Sequence, residues 1–108
     1  MGRRSKFAIT YAPEVSRHVE GIPVVFHRQI RRAIQDQLSF EPQVRTRERK
    51  PLEDQPDPFG STWELRSGAD NQFRVFYEFN LETRDVSVLA IGVKDRDRLF
   101  FDGQEFVP

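Results

Sequence analysis

The stretch STWELRSGADNQFRVFYEF, residues 61–79, decides the fold, because apolar and polar residues alternate on both sides of a polar segment at 67–71. Alternation of this kind predicts two strands, and the segment between them has the composition of a turn. The predicted core-facing side of this hairpin consists of Trp63, Leu65, Phe73, Val75 and Tyr77. The opposite side consists of Glu64, Arg66, Arg74, Phe76 and Glu78.

Two registers of the hairpin keep these two faces. One sets Arg74 opposite Glu64, an ion pair that contributes roughly 0.2–1 kcal/mol. The other sets Arg66 opposite Arg74, which destabilises the pair unless an acid or an anion compensates. The arginines are therefore either structural or part of a phosphate-binding face, a role that guanidinium geometry suits.

The 108 residues are predicted to form one domain, 1–108, with a modest core. Cysteine is absent, which is typical of a reducing compartment, so we expect a cytoplasmic protein without disulfides or thiolate metal sites. No apolar run follows the basic first residues, so neither a signal peptide nor a membrane span is predicted.

The net charge of zero hides an asymmetry between the two halves of the chain. Residues 1–50 hold eleven Lys and Arg against five Asp and Glu, whereas residues 51–108 hold six against twelve. Such a split indicates a basic surface that could bind nucleic acid. The alternative is that these charges only solvate two helices.

The remaining elements follow from their periodicity. Residues 6–12 alternate as a strand, and helices are predicted over about 13–20 and 24–40, separated by a Gly-Ile-Pro break. The nearly continuous apolar run at 85–94 indicates a central strand. We predict an α+β fold in the order β-α-α-β-β-β, with a small antiparallel-rich sheet and an N-terminal helical hairpin packed on one face.

Residues 43–61 lack apolar periodicity and predict a long, partly ordered loop whose first half is basic. This loop, the hairpin and the end of the last strand could bring basic residues to one face. The candidates for RNA binding are Arg45, Arg47, Arg49, Lys50, Arg66, Arg74, Lys94, Arg96 and Arg98. Phe100 lies beside the last cluster and could stack on a base or cap the core edge.

Motifs for cofactors and metals are absent from the sequence. There is no nucleotide-binding loop and no cysteine nucleophile. His18 and His27 have no ligand partners at metal-binding spacing, and we expect both to face solvent. Neither a metal nor a cofactor is predicted.

Four motifs, in this order, resemble the RelE/ParE superfamily of bacterial toxins from type II toxin–antitoxin systems. They are RERKPL at 47–52, WELRSG at 63–68, FRVFYEFN at 73–80 and VLAIGVKDR at 88–96. The start FAITYAPEV, followed by two helices, is similar as well. The likeness covers nearly the whole chain and is specific in combination. It implies a small α+β domain whose concave sheet face lies open.

The resemblance also implies an activity. RelE-like members enter the ribosomal A site and cut mRNA without a metal, through attack by the substrate's own 2′-hydroxyl. Arg66 matches the family arginine at the scissile phosphate, and Lys50 and Arg96 fall among the catalytic cations. Glu64 is a candidate base if its pKa is suitable. Arg74 matches a common family residue whose role is structural or RNA-binding.

The chain departs from the family in its tail. RelE-like enzymes tend to carry a tyrosine there, but this chain has Leu99, Phe100 and Phe101. A ParE-like inhibitor of DNA gyrase and a scaffold that only binds its antitoxin therefore stay open beside the nuclease. In each case the implied partner is a cognate antitoxin. Its candidate contacts, if exposed, are Phe26, Phe100, Phe101 and Phe106.

Overall fold

Seven strands and two α-helices occupy residues 6–53 and 60–107, which are the residues that the computed structural model describes. The strands are β1 (Ala8–Tyr11), β2 (Arg49–Pro51), β3 (Trp63–Ser67), β4 (Phe73–Asn80), β5 (Asp85–Asp95), β6 (Arg98–Phe101) and β7 (Gln104–Glu105). The helices are α1 (Val15–Glu20) and α2 (His27–Leu38), and the 3₁₀ turn Val24–Phe26 leads into α2. None of these helices is long and apolar enough to cross a membrane.

The strands form one sheet in the order β2-β3-β4-β5-β6-β7, with antiparallel neighbours throughout. Strand β5 has β4 on one side and two strands in succession on the other. Strand β1 pairs in parallel with its first part, and β6 pairs antiparallel with its last part. Strand β5 is thus central, as its continuous apolar run predicts. The α+β class and the antiparallel-rich sheet are confirmed.

The core lies between the helices and one face of the sheet. Ile30, Ile34 and Leu38 form the buried stripe of α2, at the helical spacing that the sequence shows. They pack in one cluster with Phe7, Val15, Ile22, Leu65, Phe73, Val75, Tyr77, Val86, Val88 and Ile91. Phe76 pairs with Ala90 but Tyr77 pairs with Val88, so a bulge lets β5 keep its larger side chains in the core.

The predicted element order is incomplete. Strand β2 falls inside the predicted loop at 43–61. It has three residues without apolar alternation, so its sequence shows no strand pattern. Residues 54–59 of that loop lie outside the described part. The tail forms β6 and β7 around Asp102 and Gly103, whose positive φ angles of 51° and 75° favour a tight hairpin. The predicted helical hairpin is not confirmed, because α1 has six residues and a 3₁₀ turn intervenes.

The turn between β3 and β4 has a conformation that few residues adopt. Gly68 has φ 81°, and a Cβ there would lie 2.6 Å from Cδ2 of Phe73. Asp70 and Asn71 are also left-handed, with φ of 56° and 54°, and these two residue types tolerate that region best after glycine. The turn therefore fixes how the two strands align.

His18 is buried between α1, β5 and the β6–β7 hairpin, so the prediction that it faces solvent is wrong. Its Nδ1 accepts a hydrogen bond of 3.2 Å from the Ile91 N–H, and its ring centroid lies 5.2 Å from that of Phe101. Helix α1 has only six residues, so its apolar pattern is too short to predict that the His18 ring is buried. His18 joins the helix to the part of β5 that no longer pairs with β1.

Stability should fall at mildly acidic pH because of His18. Burial lowers the pKa of His18 below its ordinary value of 6.5, and Asp102 and Glu14 only oppose this. The unfolded chain then takes up a proton at a higher pH than the folded one, so the free energy of unfolding decreases as the pH falls below about 6.5, by up to about 1.4 kcal/mol per pH unit.

Urea titrations between about pH 7 and pH 5 check this expectation. Wild type should lose more stability over this range than His18→Gln, which keeps an acceptor and cannot titrate. Parallel curves for the two proteins would show that His18 does not couple folding to pH.

Candidate anion-binding site

The β3–β4 register places Arg66 directly opposite Arg74, so the register that opposes Arg74 to Glu64 does not form. Two guanidinium groups therefore face each other across neighbouring strands, on the face that the helices leave uncovered. Oε1 of Glu64 accepts from Nε of Arg66 at 2.7 Å and from NH1 of Arg74 at 3.1 Å. Glu64, which one of the two predicted registers sets opposite Arg74, thus forms an ion pair with both arginines although it lies directly opposite neither of them.

Glu64, Arg66 and Arg74, which we call the arginine trio, differ in exposure. The side chain of Glu64 is 7 % exposed and that of Arg74 is 10 % exposed, whereas that of Arg66 is 30 % exposed. Nε of Arg74 donates to the carbonyl of Asn71 at 2.9 Å. Burial lowers the pKa of Arg74, and Glu64 opposes this by favouring the charged form. Arg74 is thus held from two sides, and Arg66 is the member that reaches solvent.

Arg66 keeps hydrogen-bonding capacity after it binds Glu64. Its Nε is engaged, but NH1 and NH2 have no partner among residues 6–53 and 60–107. The trio contains two guanidinium groups and one carboxylate, so it carries an excess positive charge. An excess charge with free, planar donors is what a phosphate oxygen binds.

Further cations extend this face. Lys50 on β2 lies directly opposite Glu64, so its side chain emerges on the same face. Arg74, Lys94 and Arg96 line a shallow pocket of ≈ 560 Å³. The predicted residues that the fold brings to this face are therefore Lys50, Glu64, Arg66, Arg74, Lys94 and Arg96.

Arg49 is a structural residue, which corrects its prediction as an RNA-binding one. Its Nε donates to the Val44 carbonyl at 2.9 Å, and its NH1 donates to the Gln37 carbonyl at 2.7 Å and to Gln37 Oε1 at 2.9 Å. The residue is 7 % exposed. Arg49 ties the loop before β2 to the end of α2, and its guanidinium is not available to a phosphate.

The other three predicted arginines, Arg45, Arg47 and Arg98, are exposed. NH1 of Arg45 lies 4.0 Å from Oε1 of Glu53. Nε of Arg98 lies 3.9 Å from Oε2 of Glu105, across the β6–β7 pair. Arg47 is exposed in the loop before β2. In the described part of the chain none of the three bonds to the trio.

Phe100 lies on the helix side of the sheet, which favours the alternative that it caps the core edge over the alternative that it stacks on a base at the open face. It pairs with Val93, which packs against the main core, and it lines a pocket beside the end of α1. Phe101, by contrast, packs on the open face with Phe76 and Phe106, at ring distances of 5.8 Å and 6.0 Å. The turn at 95–98 determines which of these two phenylalanines faces the helices, and alternation in the sequence alone does not predict it.

The predicted antitoxin contacts are mostly covered by the chain itself. Phe101 is buried, and Phe26 packs on Phe73 at 5.2 Å between ring centroids. Phe106 and Phe100 are half-buried. The apolar side chains most open to solvent among the described residues are instead Val24 and Val25, beside α2, and Val107, after β7.

No tyrosine stands at the open face, although the chain has two. Tyr77 is buried in the core, and its hydroxyl donates to the Pro42 carbonyl at 2.7 Å. Burial raises the pKa of Tyr77 far above its usual range. Tyr11 lines a pocket between the two helices together with Arg31. Neither hydroxyl can reach a ligand on the arginine trio.

Two features of the site are missed by sequence reasoning. The Asn71 carbonyl holds Arg74, and the left-handed Asp70 and Asn71 shape the loop that brings it there. The SGADN run signals a turn but not which carbonyl it presents. Within the described ranges, no three His, Cys, Asp or Glu residues gather closely enough to hold a metal ion.

The chain matches no protein-family model, and no curated protein matches it. The site is therefore interpreted from its own geometry and from the motifs described above.

Proposed function

We propose that this chain is the toxin of a type II toxin–antitoxin system and acts as a metal-independent endoribonuclease on mRNA. The observation that carries the proposal is the free end of Arg66, which Glu64 holds by Nε alone on a sheet face that also carries Lys50, Lys94 and Arg96. The resemblance of its motifs to the RelE/ParE superfamily supports the same function. Its proposed place of action is the cytoplasm, on messages held by the ribosome.

In the proposed reaction the RNA's 2′-hydroxyl oxygen bonds to the adjacent phosphorus, and the bond from phosphorus to the 5′-oxygen breaks. The products are a 2′,3′-cyclic phosphate and a 5′-hydroxyl end. Negative charge increases on the phosphorane oxygens, and preorganised cations aimed at them lower the barrier. NH1 and NH2 of Arg66 take this role, with Lys50 and Arg96 flanking.

The site is less suited to proton transfer than to charge stabilisation. The carboxylate of Glu64 already accepts from two arginines and is nearly inaccessible, so it suits positioning better than removal of a proton. Neither tyrosine reaches the face. We therefore attribute the proposed rate enhancement to charge stabilisation, with the 2′-hydroxyl proton passing to water and the leaving 5′-oxygen taking a proton from water.

The same observation favours a second candidate. A cationic face without a proton-transfer tyrosine also suits a ParE-like protein that blocks DNA gyrase by binding, or a member that only binds its antitoxin. In every case a cognate antitoxin is the proposed protein partner. An acidic segment laid over the arginine trio would neutralise its excess charge.

Expression of the chain alone in bacteria, followed by mapping of mRNA ends, tests the proposal. We expect growth arrest and new 5′-hydroxyl ends at codon positions of translated messages. Growth arrest with intact mRNA and blocked gyrase supercoiling would replace the nuclease with the gyrase inhibitor. Unimpaired growth would leave only antitoxin binding.

A further inference from the structure

Glu64 occupies the position that an anionic ligand of the two arginines would take. One of its oxygens, Oε1, accepts from Arg66 at 2.7 Å and from Arg74 at 3.1 Å. The cross-strand register sets these like charges directly opposite each other, an arrangement that needs a compensating anion. The fold supplies that anion itself, as a nearly inaccessible carboxylate.

The carboxylate has two opposite effects on the site. It holds the guanidinium groups together and fixes the direction of Arg66, which needs a partner because a long side chain otherwise loses its orientation. It also places a negative charge beside the donors that remain, and that charge repels an incoming phosphate. Whether Glu64 strengthens or weakens anion binding depends on which of these two effects is stronger.

The geometry indicates that repulsion outweighs orientation. Arg74 has a second anchor in the Asn71 carbonyl, and a neutral amide oxygen at position 64 could still accept from Arg66 Nε. Orientation therefore does not require the charge, whereas repulsion does. We propose that Glu64 is a built-in counter-anion that limits how tightly this face binds a polyanion. The choice of RNA as that polyanion rests on the proposed function.

The test compares Glu64→Gln with wild type in binding a short single-stranded 2′-O-methyl oligoribonucleotide, which cannot be cleaved by its own 2′-oxygen. Fluorescence anisotropy over a range of salt concentrations gives affinity and salt dependence. We expect Glu64→Gln to bind about three- to tenfold tighter at low salt, since it removes one close repulsive charge. The slope of log K against log salt should steepen by about 0.7, as for one more neutralised phosphate on a single strand.

Glu78→Gln is the matched control, because Glu78 is an exposed carboxylate on β4 with no ion pair among the described residues. It removes the same charge from the same face at a solvent-exposed position that bonds to neither arginine, and its affinity should stay within about twofold of wild type because solvent and salt screen such a charge. Equal gains for Glu64→Gln and Glu78→Gln would reduce the effect to net charge and overturn the proposal. Unchanged or weaker binding by Glu64→Gln would overturn it as well.

Two further arms separate possible failures. If Glu64→Gln does not fold, Arg74→Gln is compared with the double variant Glu64→Gln/Arg74→Gln, in which both members of the buried pair are neutral. The double variant should bind the RNA more tightly than Arg74→Gln. Equal or weaker binding by the double variant overturns the proposal. Inorganic polyphosphate is titrated in parallel with the RNA. Tighter binding of polyphosphate by Glu64→Gln, with no binding of RNA by any variant, would keep the counter-anion role and remove the nuclease function.

Discussion

Arg66→Ala should abolish growth inhibition by the expressed chain and leave its fold intact. The substitution removes the two free donors that we place at the phosphorane, and loss of one such charge-stabilising group typically lowers a catalytic rate by about 10²–10³. Arg66 makes a single ion pair and is partly exposed, so its contribution to stability is about 1 kcal/mol or less. Growth curves, together with the circular dichroism spectrum and melting temperature of the purified variant, check both halves of this expectation.

Arg31→Ala is the matched control for Arg66→Ala. Arg31 is exposed on α2, and α2 packs on the opposite face of the sheet from the arginine trio. This variant should remain as toxic as wild type. If Arg66→Ala were equally toxic, the catalytic site would lie elsewhere, whereas loss of toxicity in both variants would point to net charge rather than to a specific phosphate site.

Arg49→Ala should lower the free energy of unfolding by about 2–4 kcal/mol. The change removes a buried guanidinium and leaves the partly buried Val44 and Gln37 carbonyls without their donor. An unsatisfied buried acceptor costs about 1–3 kcal/mol, and the charged donor is lost as well. Urea unfolding gives the difference directly.

Arg47→Ala controls for Arg49→Ala, because Arg47 is an exposed arginine two residues earlier in the same loop. Its stability should lie within about 0.5 kcal/mol of wild type. RNA affinity measured on fully folded Arg49→Ala should equal that of wild type. Unchanged stability together with weakened RNA binding would restore Arg49 to the RNA-binding residues that the sequence predicts.

The fold class follows from sequence because periodicity reports burial. The alternation at 61–79 and the helical stripe on α2 both point to the same core, and both are found in it. The elements that escape prediction are short and held by pairing. Strand β2 exists because it pairs with β3, and β7 has two residues. Neither segment has enough residues to show a period.

The candidate site is predictable in its face but not in its contacts. Parity places Arg66 and Arg74 on one side in either register, and the choice between registers depends on the left-handed turn at Gly68, Asp70 and Asn71. The burial of Arg49 depends on carbonyls of α2 and the following loop. Such contacts are set by tertiary packing and leave no pattern in the local sequence.

The central claim, that the arginine trio binds RNA phosphate, is tested most directly by NMR of the arginine Nε–H groups. These signals report each guanidinium separately, so one titration with the 2′-O-methyl oligoribonucleotide compares Arg66 and Arg74 with Arg49 and Arg31 in the same sample. We expect the Arg66 signal to shift most and that of Arg74 to follow, while the Arg49 and Arg31 signals remain unchanged. A shift of Arg31 with none at Arg66 would place the nucleic acid on the helical side and contradict the claim.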